Sequence, residues 1–283
     1  MTKMRNLFTL LIGCFCFATY GFACSCDIPK PAVEFAYSDY VFEGVISSKK
    51  YASDSLIYSI SFDITRHYKD SDAPTQLQFT LQSEGEITGE WTSCDWNVEK
   101  GEKWLVYAYR YKGKLTFGYF CSNSKPLDNR EIGRIEQRIL NSGNQLDLEK
   151  YKFSAIDGFY SQARPKANID SILTTYQKNG YEDDRIDIIV DIDKNGNLEA
   201  ANLWPKKFKD RPADKVIDSI FNLNKPCNIQ VREPESRAEK DLLELVRNLK
   251  KWDKTYLPFL KKPVAYRMYL QFYPEQDTIK LYY

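Results

Sequence analysis

Histidine is almost absent: the 283-residue chain has one, His67. A single histidine excludes the usual two- and three-histidine metal sites and leaves one candidate base for a serine or cysteine relay. It stands in Thr65-Arg66-His67-Tyr68-Lys69, the polar end of an expected strand, and reads as an exposed strand-end residue. A charge excess is also missing, with 40 Lys and Arg against 39 Asp and Glu. That balance excludes a general nucleic-acid binder, which carries a basic surplus. No glycine-rich phosphate loop occurs, and the acids are spread along the chain without a motif. No intrinsic metal site, no cofactor and no catalytic residue are therefore expected, and the chain reads as a non-enzyme. Beyond residue 23 no stretch approaches the ~20 apolar residues of a membrane span. The remainder is expected to be soluble, with membrane attachment only through a lipid or an uncleaved leader.

Residues 1–23 have the three parts of a signal peptide. Lys3 and Arg5 supply the positive start, residues 7–17 the apolar run, and Gly21-Phe22-Ala23 small residues at −3 and −1. Cleavage after Ala23 is expected, with export to the periplasm or the exterior. The alternatives are lipidation at Cys14, after Leu11-Ile12-Gly13, lipidation at Cys24, or an uncleaved anchor; the first two would give an outer-membrane lipoprotein. Export licenses disulfides. Five cysteines follow the leader: Cys24, Cys26, Cys94, Cys121 and Cys227. An odd number leaves one thiol over, and composition alone does not pair the rest.

The segment from 24 to 142 is rich in strand patterns. Leu56, Tyr58, Ile60, Phe62 and Ile64 alternate with polar or outward positions, and Leu77, Phe79 and Leu81 repeat the period. Residues 104–109 are strongly β-prone, and Lys112-Gly113-Lys114 turns the chain into Leu115, Phe117 and Tyr119. Residues 40–46 and 96–98 offer two more strands, and residues 128–140 read as a helix. Five or six short strands with one helix suggest a small OB-type Greek-key barrel.

Residues 24–46, CSCDIPKPAVEFAYSDYVFEGVI, resemble the opening of the tissue inhibitor of metalloproteinases family and the wider netrin-like module. The shared features are the Cys-Ser-Cys start, Pro31, Phe35, Asp39 and Val41, and the separations from Cys24 to Cys94 and from Cys26 to Cys121 also fit. The resemblance implies a barrel stapled by bridges Cys24-Cys94 and Cys26-Cys121, with Cys227 left as the free thiol. It further implies an inhibitory edge made of Cys24, Ser25, Cys26, Thr92 and Ser93. In that family the α-amine and carbonyl of the first cysteine chelate the zinc of the target protease, and the second side chain, here Ser25, enters the specificity pocket.

Residues 143–164 are turn-rich and read as a linker. In 165–283 the pattern changes to a small α+β unit. Ile186, Ile188 and Val190 lead into Asp193-Lys194-Asn195-Gly196, a hairpin turn. Asp191, Asp193 and Asn195 imitate a calcium loop, but position twelve is Asn202 rather than the required Glu, so the hairpin reading stands. Ser236-Arg237-Ala238-Glu239 is a capping box opening a helix with Ala238, Leu242, Leu245, Leu249 and Trp252 on one face. Val264, Tyr266, Met268, Leu270 and Phe272 then alternate as a strand. DIDKNGNLEAANLW, the helix and KKPVAYRMYLQF together resemble the C-terminal domain of TonB-type proteins, which implies docking of a partner by strand addition.

Two functions follow as expectations. The first is an exported, non-catalytic binding protein, specifically an inhibitor whose partner is a zinc metalloproteinase. The second is a cell-envelope scaffold whose C-terminal unit docks a protein while the barrel is structural.

Overall fold

The computed structural model describes residues 28–128, 130–154, 163–176, 181–204, 216–226, 232–257, 260, 262–275 and 278–283. The described chain opens with helix α1 (Pro31–Tyr37), whose first-turn proline has no amide hydrogen to leave unpaired. Strands β1 (Tyr40–Tyr51), β2 (Ile57–His67), β3 (Gln76–Gln82), β4 (Lys103–Tyr111), β5 (Lys114–Thr116) and β6 (Lys125–Pro126) follow, with a short helix α2 (Gly85–Thr88) after β3. They form one antiparallel sheet in the order β3-β2-β1-β4-β5, with β6 also on β4. Register breaks in β1 between Glu43 and Gly44 and between Ile46 and Ser48 add twist. The sheet curls into a half-barrel in which Phe79 of β3 meets Phe117, just past β5, with ring centroids 5.0 Å apart. Tyr58, Ile60 and Phe62 point into this curl, as their alternation predicts.

Residues 104–108 are buried without alternation because β4 is covered on both sides. Trp104, Val106 and Ala108 face the inside of the curl, whereas Leu105 and Tyr107 pack with Phe35 of α1 and Leu140 of α3 (Arg134–Ser142). Two expectations are corrected here. Residues 96–98 form no strand: Val98 is buried and Trp96 packs on Trp104 and Phe117, but Asn97 caps the Val98 amide with its own side chain instead of a ladder partner. The helix expected over 128–140 begins only at Arg134.

The second sheet contains β7 (Lys152–Phe153), β8 (Ile186–Ile192), β9 (Leu198–Leu203), β12 (Thr255–Tyr256), β13 (Pro263–Pro274) and β14 (Ile279–Tyr282). Its order is β12-β13-β8-β9, with β14 and β7 also paired to β13. Strand β7 lies within the stretch expected to be a linker, yet it pairs in parallel with Ala265 and Tyr266. A separate ribbon joins β10 (Val216–Ile217) and β11 (Asn224–Lys225). Helices α4 (Ile169–Tyr176) and α5 (Arg237–Asn248) cover the sheet, with Leu173, Leu242, Leu245 and Val246 in its core. The Ser236 side chain caps α5 at the Glu239 amide, 3.1 Å away. The helix stops at Asn248, short of Trp252, which is buried in a bridge to Pro165. Ala32, Val33 and Ile139 also belong to this core, so α1 and α3 serve both sheets.

The β8–β9 turn is closed by Asp193, whose carboxylate accepts from the Asn195 and Asn197 amides at 2.8 and 2.7 Å. Gly196 has φ of 79°, and a Cβ there would strike the Trp252 carbonyl oxygen. Gly196→Ala is expected to cost about 2–3 kcal/mol, from left-handed strain together with this overlap. Urea denaturation against the parent checks it, and a loss under 1 kcal/mol would show that the turn relaxes freely.

Candidate functional site

The expected inhibitory residues divide between what is described and what is not. Cys24, Ser25 and Cys26 lie outside the described residues, as does Cys227. Thr92 and Ser93 are described and exposed, in the loop before β4. Within that loop the Thr92 hydroxyl donates to Asp95 at 2.7 Å, and the Cys94 amide donates to the Thr92 oxygen at 3.2 Å. The other Asp95 oxygen accepts from the Gly85 amide at 3.1 Å, tying the loop to the start of α2. The Thr92 hydroxyl holds the Asp95 carboxyl below the usual carboxylate range.

Three segments meet at this end of the curled sheet. Trp96, two residues after Cys94, stacks on Tyr119, two residues before Cys121, at 5.7 Å. Asn123, two residues after Cys121, donates from Nδ2 to the Pro29 carbonyl at 2.8 Å. Neither Cys94 nor Cys121 is a free thiol. Each segment carries an exposed apolar side chain: Ile28 (53%), Trp91 (68%) and Phe120 (37%). A tryptophan two-thirds exposed is costly to leave in water and is a frequent anchor of protein interfaces.

Glu34 holds this meeting point together. It lies in the first turn of α1 and is completely buried. One carboxylate oxygen accepts from the Ser122 hydroxyl at 2.5 Å, and the other from the Asn123 amide and side chain, both at 2.6 Å. Ser122 is within 2.9 Å of the Ser124 hydroxyl, which accepts from the Tyr107 amide at 2.9 Å. Burial pushes the Glu34 carboxyl up to about 7, with the Glu136 carboxylate adding in the same direction and the three donors opposing. Sequence reasoning passed over Glu34, Trp91 and Phe120. For Glu34 the available signal was an acid inside the otherwise apolar run of α1; Trp91 and Phe120 became visible only as exposed side chains.

His67 is half-buried rather than exposed, with Nε2 2.9 Å from the Pro74 carbonyl oxygen. A carbonyl only accepts, so Nε2 carries the hydrogen. The calcium-like positions disperse: Asp193 closes its own turn, whereas Asp191 binds Arg267 at 2.6 and 2.8 Å. Among the described residues no group of three or more His, Cys, Asp or Glu is placed to hold a metal, and no helix is long and apolar enough to cross a membrane. Beside the second sheet lies a half-open cavity of about 580 Å³, with Tyr151, Lys152, Glu199, Pro263 and Val264 among its walls. No family model matches the chain, and no curated protein matches it.

Proposed function

We propose that the chain is an exported binding protein whose working surface is the edge formed by residues 24–29, 91–96 and 119–123. On this reading it inhibits a zinc metalloproteinase. The Asn123–Pro29 hydrogen bond carries the proposal, because it seats the start of the described chain beside Cys121. Cys26 is three residues from Pro29, and three residues span at most about 11 Å, so a Cys26-Cys121 bridge is within reach. A Cys24-Cys94 bridge then lies beside exposed Thr92 and Ser93. The strand order β3-β2-β1-β4-β5 and the approach of Phe79 to Phe117 support a partly open, netrin-like OB barrel. We further read the second sheet with α5 as a TonB-C-like unit spanning 165–283.

The chemistry is simple. A free Cys24 amine with a pKa near about 8 can surrender its proton to a metal near neutral pH. A catalytic zinc keeps an open position for the amine and carbonyl together. Bridges on both sides of Ser25 order the chain end before binding, which lowers the entropic cost of association. Ile28, Trp91 and Phe120 supply the apolar contact around the chelating end.

The test begins with the non-reduced intact mass and a peptide map. An unmodified start at Cys24, bridged to Cys94, is expected. Acylation of Cys24, a lipid on Cys14 or a retained leader would block the amine and sink the chelation. Protein starting at Cys24 is then compared with protein extended by one N-terminal alanine, against a panel of zinc metalloproteinases. The extension is expected to weaken inhibition at least a hundredfold; no inhibition by either form at micromolar concentration removes the proposal. A second reading, a docking scaffold, is favoured by β14, whose edge away from β13 has no strand partner among the described residues.

A further inference from the structure

We propose that Glu34 is a positioning residue for this edge, a protonation-controlled latch that clasps residues 122–124 against the first turn of α1. The inference rests on the reading of the edge as the working surface, but the latch itself stands on geometry. Residues 122 and 123 lie 88 and 89 positions from Glu34 along the chain, and its carboxyl group binds both. Its three donors come from consecutive residues that directly follow Cys121. Asn123 uses its side chain twice, on Glu34 and on Pro29, so the residue held by Glu34 also anchors the first described residues of the chain.

Among the described residues no Lys or Arg forms an ion pair with the buried carboxyl. The groups acting on or facing it are Tyr37 from α1, Tyr107 and Tyr109 from β4, and Glu136 from α3. The three phenols are pushed up by burial and stay neutral at ordinary pH. Lys125 of β6 is given over to Glu136.

The surroundings accept either protonation state. When Glu34 is charged, the Ser122 hydroxyl donates to it. When it is protonated, it donates to Ser122, whose hydroxyl turns to the Ser124 oxygen 2.9 Å away. Both Asn123 donors keep their acceptor in either case. The closed latch holds its proton up to about pH 7, whereas a hydrated carboxyl releases it near 4.5. Between those values the opened state binds fewer protons, so opening becomes about tenfold more favourable per pH unit and levels off above 7. The edge is therefore tight in acid and looser at neutral and alkaline pH.

Hydrogen exchange of the Asn123 amide in the mature chain reads the opening directly, once divided by the intrinsic exchange rate at each pH. A rise of about fortyfold from pH 5 to 7, with only about a further twofold before it levels off, is expected. Glu34→Gln mimics the protonated acid and is expected to stay flat at the parent's pH 5 level. Glu34→Ala is expected to be flat too, but at least tenfold more open throughout, because three donors lose their acceptor. A flat parent profile, or a slope retained in Glu34→Gln, overturns the latch. If neither variant folds, the Glu34 carboxyl carbon shift of the parent decides: a midpoint near 7 supports the latch, and one below 5.5 overturns it. The protease assay is independent. A slope without inhibition removes the inhibitor reading alone, and inhibition without a slope removes the latch alone.

Discussion

Arg267→Leu is expected to lower stability by about 3–5 kcal/mol, the range for breaking a buried ion pair by removing one partner. Arg267 on β13 stands directly opposite Asp191 on β8 in the sheet register. Its Nε and Nη2 reach the two Asp191 oxygens at 2.6 and 2.8 Å, a fork-on-carboxylate pairing. Lys152 of β7 adds a third contact to Asp191 at 3.0 Å, and all three side chains are at least nine-tenths buried. Removing Arg267 leaves a buried carboxylate with one cation, and that cation is shared with Glu199 at 2.9 Å. Urea denaturation of the single variant and of Arg267→Leu with Asp191→Leu measures the effect. The double variant should recover most of the loss, since two apolar residues leave no stranded charge between them. A single variant within 1 kcal/mol of the parent would mean that water reaches Asp191 readily.

Replacing Cys26 and Cys121 together by serine is expected to cost about 4 kcal/mol under oxidising conditions, because the proposed bridge closes a loop of nearly a hundred residues. The loss should disappear when parent and variant are compared in reductant, which separates a missing crosslink from a change in packing. The variant should also show faster exchange at Asn123, since the start of the segment beyond the bridge then loses one of its anchors and relies on Glu34, Pro29 and the Ser124 contact to Tyr107. An unchanged denaturation midpoint under oxidising conditions would argue that Cys121 is not bridged to Cys26 and would direct the search to another pairing.

Much of the fold was legible in the residues. The alternation of Tyr58, Ile60 and Phe62, and of Tyr266, Met268, Leu270 and Phe272, decided which faces are buried. A strand with one wet face must show period two, so the pattern carries the answer locally. Asn195-Gly196 marked the β8–β9 turn because only glycine takes its left-handed conformation without strain. The α5 cap was equally visible in Ser236 and Glu239. The absence of a strand at 96–98 and the presence of β7 within 143–164 have one cause. Burial of Trp96 and Val98, or the pairing of Lys152 and Phe153 with β13, depends on partners far along the chain that local composition does not reveal.

The sequence by itself determined two β-rich halves, their main strands, the turn at Gly196 and the start of α5, since propensity, period and capping act over a few residues. The tertiary structure alone decided that Glu34 meets Ser122 and Asn123, that Asp191 turns from its calcium-like loop to Arg267, and that Trp91 and Phe120 are left exposed. Each of those outcomes depends on residues brought together across the chain. A carboxyl group has the same chemistry in any sequence; whether it is a solvated surface acid or a buried latch depends on what folds around it.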